Sequence, residues 1–177
     1  MDQPVISKTV GQVTELTCIA KIIPGKADEL RAALNAVDPN NLKKMPTIHF
    51  ARWVIFDNDT RLLFCSNFDG GWEDYLQDFS VNDPEGLDFV FQFCEGWPGA
   101  QPFEPFRDYV RAHQIETTFF YPAYPMASVK QILKALDWKN KTDNYMRELQ
   151  KPPSPDVGQV PASAPTAPAS DTEASGE

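Results

Sequence analysis

The stretch Thr47-Ile-His-Phe-Ala-Arg-Trp-Val-Ile-Phe-Asp-Asn-Asp-Thr-Arg-Leu-Leu-Phe-Cys-Ser-Asn-Phe68 decides the fold. Two runs rich in β-branched and aromatic side chains, Thr47 to Phe56 and Arg61 to Phe68, flank Asp57-Asn58-Asp59-Thr60. That pattern is a β-hairpin with a compact polar loop. Closing the loop there pairs Ala51 with Ser66, Arg52 with Cys65, Phe50 with Asn67 and His49 with Phe68, and leaves Asp69 near Ile48. Alternation then sends His49, Ala51, Trp53 and Ile55 to one face and Phe50, Arg52, Val54 and Phe56 to the other. A histidine and an arginine inside such strands need either internal hydrogen-bond partners or a cavity that uses them.

Upstream, Val13 to Ile23 is a β-branched run ending at the turn pair Pro24-Gly25, which makes it strand one. Ala27 to Val37 carries Leu30, Ala33, Leu34 and Val37 at helical spacing, with Asp28 and Glu29 at the dipole's positive end, and stops at Asp38-Pro39-Asn40-Asn41. Downstream, Asp69-Gly70-Gly71 ends the hairpin, and Trp72, Tyr75, Leu76 and Phe79 line one face of a helix. Further helices are predicted from Pro84, with Leu87, Val90, Phe91 and Cys94 on one side, and over Glu104 to Ala112. His113 to Tyr121 reads as strand four. A last helix starts at Ser128, which forms a capping-box signature with Gln131, and extends to Leu149.

The order β, α, β, β, helices, β is the split-βαβ, ferredoxin-like α+β pattern: a four-stranded antiparallel sheet with helices on one face. The sheet's other face is left bare, and a bare apolar face predicts a homodimer packed sheet to sheet. Residues 1–12 read as an N-terminal extension and 13–149 as the domain. Residues 150–177 form a Pro/Ala/Ser-rich acidic tail, too poor in large apolar side chains to order itself.

The 177 residues carry a net charge of −9, and residues 1–150 hold 21 acids against 15 bases. Nucleic acid is therefore excluded as a partner class, because phosphate binding needs a basic footprint. Cys18, Cys65 and Cys94 are odd in number and lie in apolar runs, which predicts free buried thiols rather than a disulfide framework or zinc ribbon. Neither a signal-peptide pattern nor a membrane-spanning apolar run is present, and a cytoplasmic protein is expected. No phosphate-cradling glycine motif or nucleophile elbow occurs.

The combination of His49-Phe-Ala-Arg-Trp, Leu63-Phe-Cys-Ser-Asn-Phe-Asp-Gly-Gly-Trp-Glu-Asp-Tyr75-Leu and Arg111-Ala-His-Gln resembles a poorly characterised bacterial group within the dimeric α/β-barrel superfamily, across roughly residues 13–138. Superfamily members include haem-dependent peroxidases, chlorite-decomposing enzymes, haem-degrading and quinone-forming monooxygenases, and cyclases without a cofactor. The resemblance thus implies a dimer, a pocket for a small-molecule ligand, and an oxidoreductase of aromatic or apolar substrates, with haem as the cofactor it allows. A fold shared by such different chemistries does not choose among them. The rival class is a non-catalytic binding or protein-interaction module.

The residues offer two polar clusters. His49 with Ser66, amid Trp53 and Phe64, is an aromatic wall with one titratable group; its imidazole can ligate a metal or haem iron or act as a general base, or simply satisfy a core hydrogen bond. Arg52 with Asn67 and Asp69 can hold a carboxylate or peroxide oxygen, or close an internal or subunit-crossing ion pair. Asp69 also stands where it can cap the helix that follows Gly70-Gly71. His113 sits at a helix end, where a cation is favoured beside carbonyls; turned inward it is a second candidate axial ligand. Two histidines exclude a three-histidine metal site in one subunit, and no metal site is predicted. The segment Gly96 to Phe106, rich in Pro and Gly among aromatic rings, is placed to act as a lid.

Overall fold

The computed structural model describes residues 7–151, so the expected disordered tail from 152 onward lies outside the described residues, as do residues 1–6. Contacts divide the chain into two units, Met1–Lys139 and Asn140–Glu177. The first unit is an α+β domain built on a four-stranded antiparallel sheet.

Its strands are β1 (Thr9–Val10), β2 (Val13–Lys21), β3 (Ile48–Phe56) and β4 (Arg61–Asp69), in spatial order β1-β2-β4-β3. The hairpin loop closes as the sequence requires, with Asp57, Asn58 and Asp59 all in the left-handed region. Short polar side chains that bond locally tolerate that conformation better than other non-glycine residues. The helices are α1 (Ala27–Ala36), α2 (Trp72–Asn82), α3 (Pro84–Phe91), α4 (Phe103–His113) and α5 (Val129–Leu149), with a short 3-10 turn over Asn41–Lys44.

Alternation decides what is buried. Leu16, Cys18 and Ala20 on β2 and Leu62, Phe64, Ser66 and Phe68 on β4 face the helices and are buried, with Ala51, Trp53 and Ile55 packed beside them. Leu30 of α1, Trp72, Tyr75 and Phe79 of α2, Leu87 and Val90 of α3, and Phe106 and Val110 of α4 cover that layer. The Phe68 and Tyr75 rings stack nearly parallel at 3.6 Å, tying β4 to α2. The opposite face is open over β3, where Phe50 is 75% exposed and Val54 41%, and covered at the start of β2, where Val13 and Glu15 are buried and Thr117 bonds Glu15.

The fourth strand comes from a different part of the chain than expected. Along its backbone His113–Tyr121 makes a single bridge to β2, Gln114 to Cys18, with the Ile115 amide on the Thr17 carbonyl. The edge of β2 is shared among three short segments. Thr9–Val10 pairs with Val13–Thr14, residues 114–115 take the middle, and the Phe93–Glu95 stretch bonds Lys21 and Ile23 at the far end. No length of free edge is left for a long strand. Gly11, at φ +65°, makes the β1–β2 turn against Pro125, where an added Cβ would lie 2.2 Å from the carbonyl oxygen. The N-terminal extension is thus part of the sheet from Thr9 on.

Helix α5 carries the Ser128–Gln131 box, with the Ser128 amide on Gln131 Oε1 at 2.9 Å and the Gln131 amide on Ser128 Oγ at 3.3 Å. Its expected apolar face is not buried: Leu133 is 60% exposed and Leu136 51%, while Val129 and Ile132 are half-buried. Among the described residues, no helix is long and apolar enough to cross a membrane.

All three cysteines are free; Cys18 and Cys94 are buried and Cys65 is half-buried on the open face. Burial pushes the Cys18 thiol upward and the Cys94 thiol from 9.0 to about 12, because a thiolate would lose its hydration. A folded-state pKa raised in this way contributes stability that is complete below the unfolded value and is lost as pH climbs toward the folded one. The urea midpoint should therefore fall between about pH 9 and 12. At pH 8 a thiol-disulfide reagent should label Cys65 first, with Cys18 and Cys94 following only on unfolding; three equal rates would contradict this packing.

Candidate functional site

From Phe50 to Phe56, β3 keeps the register read from the sequence, including Ala51 with Ser66 and Arg52 with Cys65. At His49 it breaks. Ile48 lies across from Phe68 while Phe50 lies across from Asn67, so His49 is an extra, unpaired residue, a β-bulge. The bulge removes His49 from its expected place opposite Phe68 and turns it to the end of β4. There Nε2 lies 2.7 Å from Asp69 Oδ1, with the two side chains only 10% and 16% exposed. A carboxylate only accepts, so Nε2 carries the hydrogen, and in the neutral ring Nδ1 holds the lone pair.

The second oxygen of Asp69 is also engaged: Oδ2 accepts the amide of Val129, the first residue of α5, at 2.8 Å. Asp69 is a helix cap, as the sequence suggested, but of α5 rather than α2. Helix α2 begins after Gly71 with no side-chain cap. Gly70, at φ +91°, and the extended Gly71 stand between Asp69 and Trp72, leaving the carboxylate to the helix that arrives from 60 residues downstream. The Asp69 amide in turn donates to the Thr47 carbonyl at 2.9 Å, which continues the ladder past the bulge.

The histidine borders a cleft of about 910 Å³. Its walls are Phe50 and Asn67 of the hairpin, Met45 and Pro46 from the loop before β3, Phe120, Tyr121 and Tyr124 from the segment after α4, and Val129, Ile132 and Leu133 of α5. The size lies within the range of small-molecule sites, and the lining is the usual mixture of apolar walls with a few polar groups.

Other candidates fall elsewhere. Ser66, Trp53 and Phe64 face the helices: Ser66 is across from Ala51, Trp53 packs on Phe64 at 5.0 Å between ring centres, and none borders the cleft. The Ser66 hydroxyl faces Tyr75, whose own hydroxyl burial drives to a higher pKa and Ser66 only partly relieves. Neither oxygen makes a hydrogen bond of normal geometry among the described residues. Arg52 is exposed on the open face, with no hydrogen bond or ion pair to a described residue, so the expected Arg52–Asp69 pair is absent and Asp69 serves His49 instead. Asn67 alone of that cluster reaches the cleft.

His113 is where the helix-end reading put it, at the last turn of α4, donating from Nδ1 to the Tyr109 carbonyl at 2.8 Å and stacking on the Tyr109 ring at 4.0 Å. It also borders an internal apolar cavity of about 30 Å³, between the sheet and helices α2–α4. That volume takes one or two water molecules. It is at least about tenfold below a ligand or cofactor site, so haem does not fit at His113. The lid segment is packed: the Trp97 indole donates to Asp88 at 2.8 Å and its ring stacks on Phe91. Among the described residues, no three His, Cys, Asp or Glu side chains gather as a metal site.

The strand-four reading takes Phe120 and Tyr121 into the sheet, and their part in the cleft, with Tyr124, is legible only once that strand is seen not to form. The His49–Asp69 pair was hidden by the bulge, since alternation alone places His49 beside Phe68.

No family model and no curated protein sequence matches the chain. Among solved structures, the chain is similar to tetracenomycin F2 cyclase from Streptomyces glaucescens, a type-II polyketide cyclase, at 19% identity and a TM-score of 0.42, over 62% of this chain and 97% of that one. Similarity at this level says nothing of what this chain binds. The resemblance to one bacterial group has no support here beyond the motifs that suggested it.

Asp69→Ala removes the acceptor for both His49 and the α5 amide and should cost about 3 kcal/mol. Asp69→Asn keeps an acceptor and should cost about 1 kcal/mol. Urea unfolding checks both; an Asp69→Ala midpoint equal to the wild type would mean the carboxylate holds nothing together.

Proposed function

We propose that the protein binds a small aromatic or apolar molecule in the His49 cleft and uses the Asp69–His49 pair as a general base on it. The observation that carries this reading is a histidine whose Nε2–H is fixed on a carboxylate, at the edge of a cleft large enough for a ligand. Holding the hydrogen on Nε2 leaves Nδ1 as the basic nitrogen of the neutral ring. When Nδ1 takes a proton, the imidazolium is stabilised by the adjacent Asp69 charge, which cannot swing away because Val129 holds its other oxygen. Asn67, on the cleft wall, is a donor for a carbonyl oxygen that becomes an enolate as the proton leaves. Proton abstraction next to a carbonyl or on a phenol is the reaction class, and an oxidative outcome would begin from the same proton removal.

In the competing reading the pair only pins α5 to the hairpin, and the protein is a binding module. Deuterium uptake by phenylacetone, an aromatic carbon acid, separates the two. Wild-type protein should accelerate exchange above the buffer rate, and a folded His49→Gln variant should lose about 100-fold or more of that acceleration. Exchange at the buffer rate, or equal exchange by the variant, would reject the base.

The open sheet face supports a homodimer within the same proposal. Val54 is exposed there beside half-buried Ile19 and Leu63, a patch that a second copy would cover. Sedimentation at micromolar concentration should give a species near twice 19.9 kDa that Val54→Asp converts to monomer. A wild-type monomer would remove the dimer and leave the cleft reading standing.

A further inference from the structure

The charge of the cleft is opposite to that of the chain. With 25 acids against 16 bases overall, an average stretch of this surface is negative. The residues bordering the cleft nevertheless include Lys43 and Lys130 and no aspartate or glutamate. The two lysines come from unrelated segments, one from the turn before β3 and the other from the first turn of α5. Neither forms an ion pair with a described residue, unlike Lys44 next door, whose ammonium lies 3.5 Å from Asp83. Of the carboxylates close behind the wall, Asp69 has both oxygens spent on His49 and Val129, and Glu15, across from Asn67, accepts the Lys8 amide and the Thr17 and Thr117 hydroxyls.

Lys130 is unfavourable where it stands. A cation in the first turn of a helix meets the positive end of the dipole. A ligand carrying a negative charge at this mouth would relieve that cost while its apolar body packs on Phe50, Phe120, Tyr121 and Ile132. We propose that the cleft's ligand is an amphipathic anion, an aromatic or otherwise apolar body bearing one carboxylate, whose charge is read by Lys43 and Lys130.

This rests on the cleft being the binding site, and it adds what the ligand must carry. A fixed anionic group between two mobile ammonium groups at the mouth would also orient the body, so that the same end always lies outermost and the reacting carbon lies inside, toward His49. Lysine suits such a contact as a compact charge on a flexible stem, without the directional fork of arginine.

A matched pair of probes tests it: 2-naphthoate and its neutral isostere 2-naphthamide, titrated calorimetrically into the full-length protein at low and high salt. The expected result is tighter binding of naphthoate at low salt, an advantage that shrinks as salt is added. In Lys43→Glu/Lys130→Glu, naphthoate should weaken about tenfold while naphthamide is unchanged. Both positions are exposed, so an unaltered melting temperature is the check on folding. Equal affinities for the two probes, with no effect of the lysine changes, would overturn the anion requirement and leave the apolar cleft intact. Binding of neither probe would overturn the cleft as the site, and this inference with it.

Discussion

One carboxylate with two obligations organises the end of the hairpin beside the cleft. Asp69 closes β4, and its oxygens reach in two directions, to the imidazole of a bulged histidine on β3 and to the first amide of α5. Each contact alone is ordinary. Together they fix the ring's tautomer, the start of the helix and the wall of the cleft with one group, and the charge that orients His49 also complements the helix dipole. The cleft exists because α5 and the segment before it are brought to the hairpin there, and Asp69 is the polar link in that junction.

The bulge is what makes the link available. Without it, strict alternation would direct His49 to the helix side opposite Phe68, into the buried core where Phe68 stacks on Tyr75. One inserted residue moves the histidine to the end of the sheet and keeps Phe50 to Phe56 in their proper places on both faces. The core and the site are therefore separable. Ser66, Trp53 and Phe64 belong to packing, while His49 and Asn67 border the cleft with Asp69 behind them, even though all six lie on one hairpin.

Much of the fold was legible because it rests on periodicity and turn chemistry. The hairpin, its Asp-Asn-Asp loop, its register over seven residues, the α1 and α2 faces and the Ser128 capping box all follow from side-chain spacing. What spacing does not encode is competition. Two residues before a glycine can take a strand's edge and leave a longer apolar run, His113–Tyr121, without one; a single bulge can invert one side chain without disturbing its neighbours; a carboxylate before two glycines can cap a distant helix in place of the next one. His49, Asp69 and Asn67 were legible as chemistry-bearing residues, but not as partners. Arg52 attracted attention as a charge in a strand and turned out to stand on the open face.

The central claim is that Asp69 holds a hydrogen of the His49 ring on Nε2, and ring-nitrogen NMR of uniformly labelled protein reads this directly. In its neutral form the His49 ring should give the Nε2–H pattern, with a protonated Nε2 and an unprotonated Nδ1, and should change tautomer or become mixed in Asp69→Asn. A wild-type ring protonated on Nδ1, or one averaging freely between tautomers and unaffected by Asp69→Asn, would contradict the account at its base.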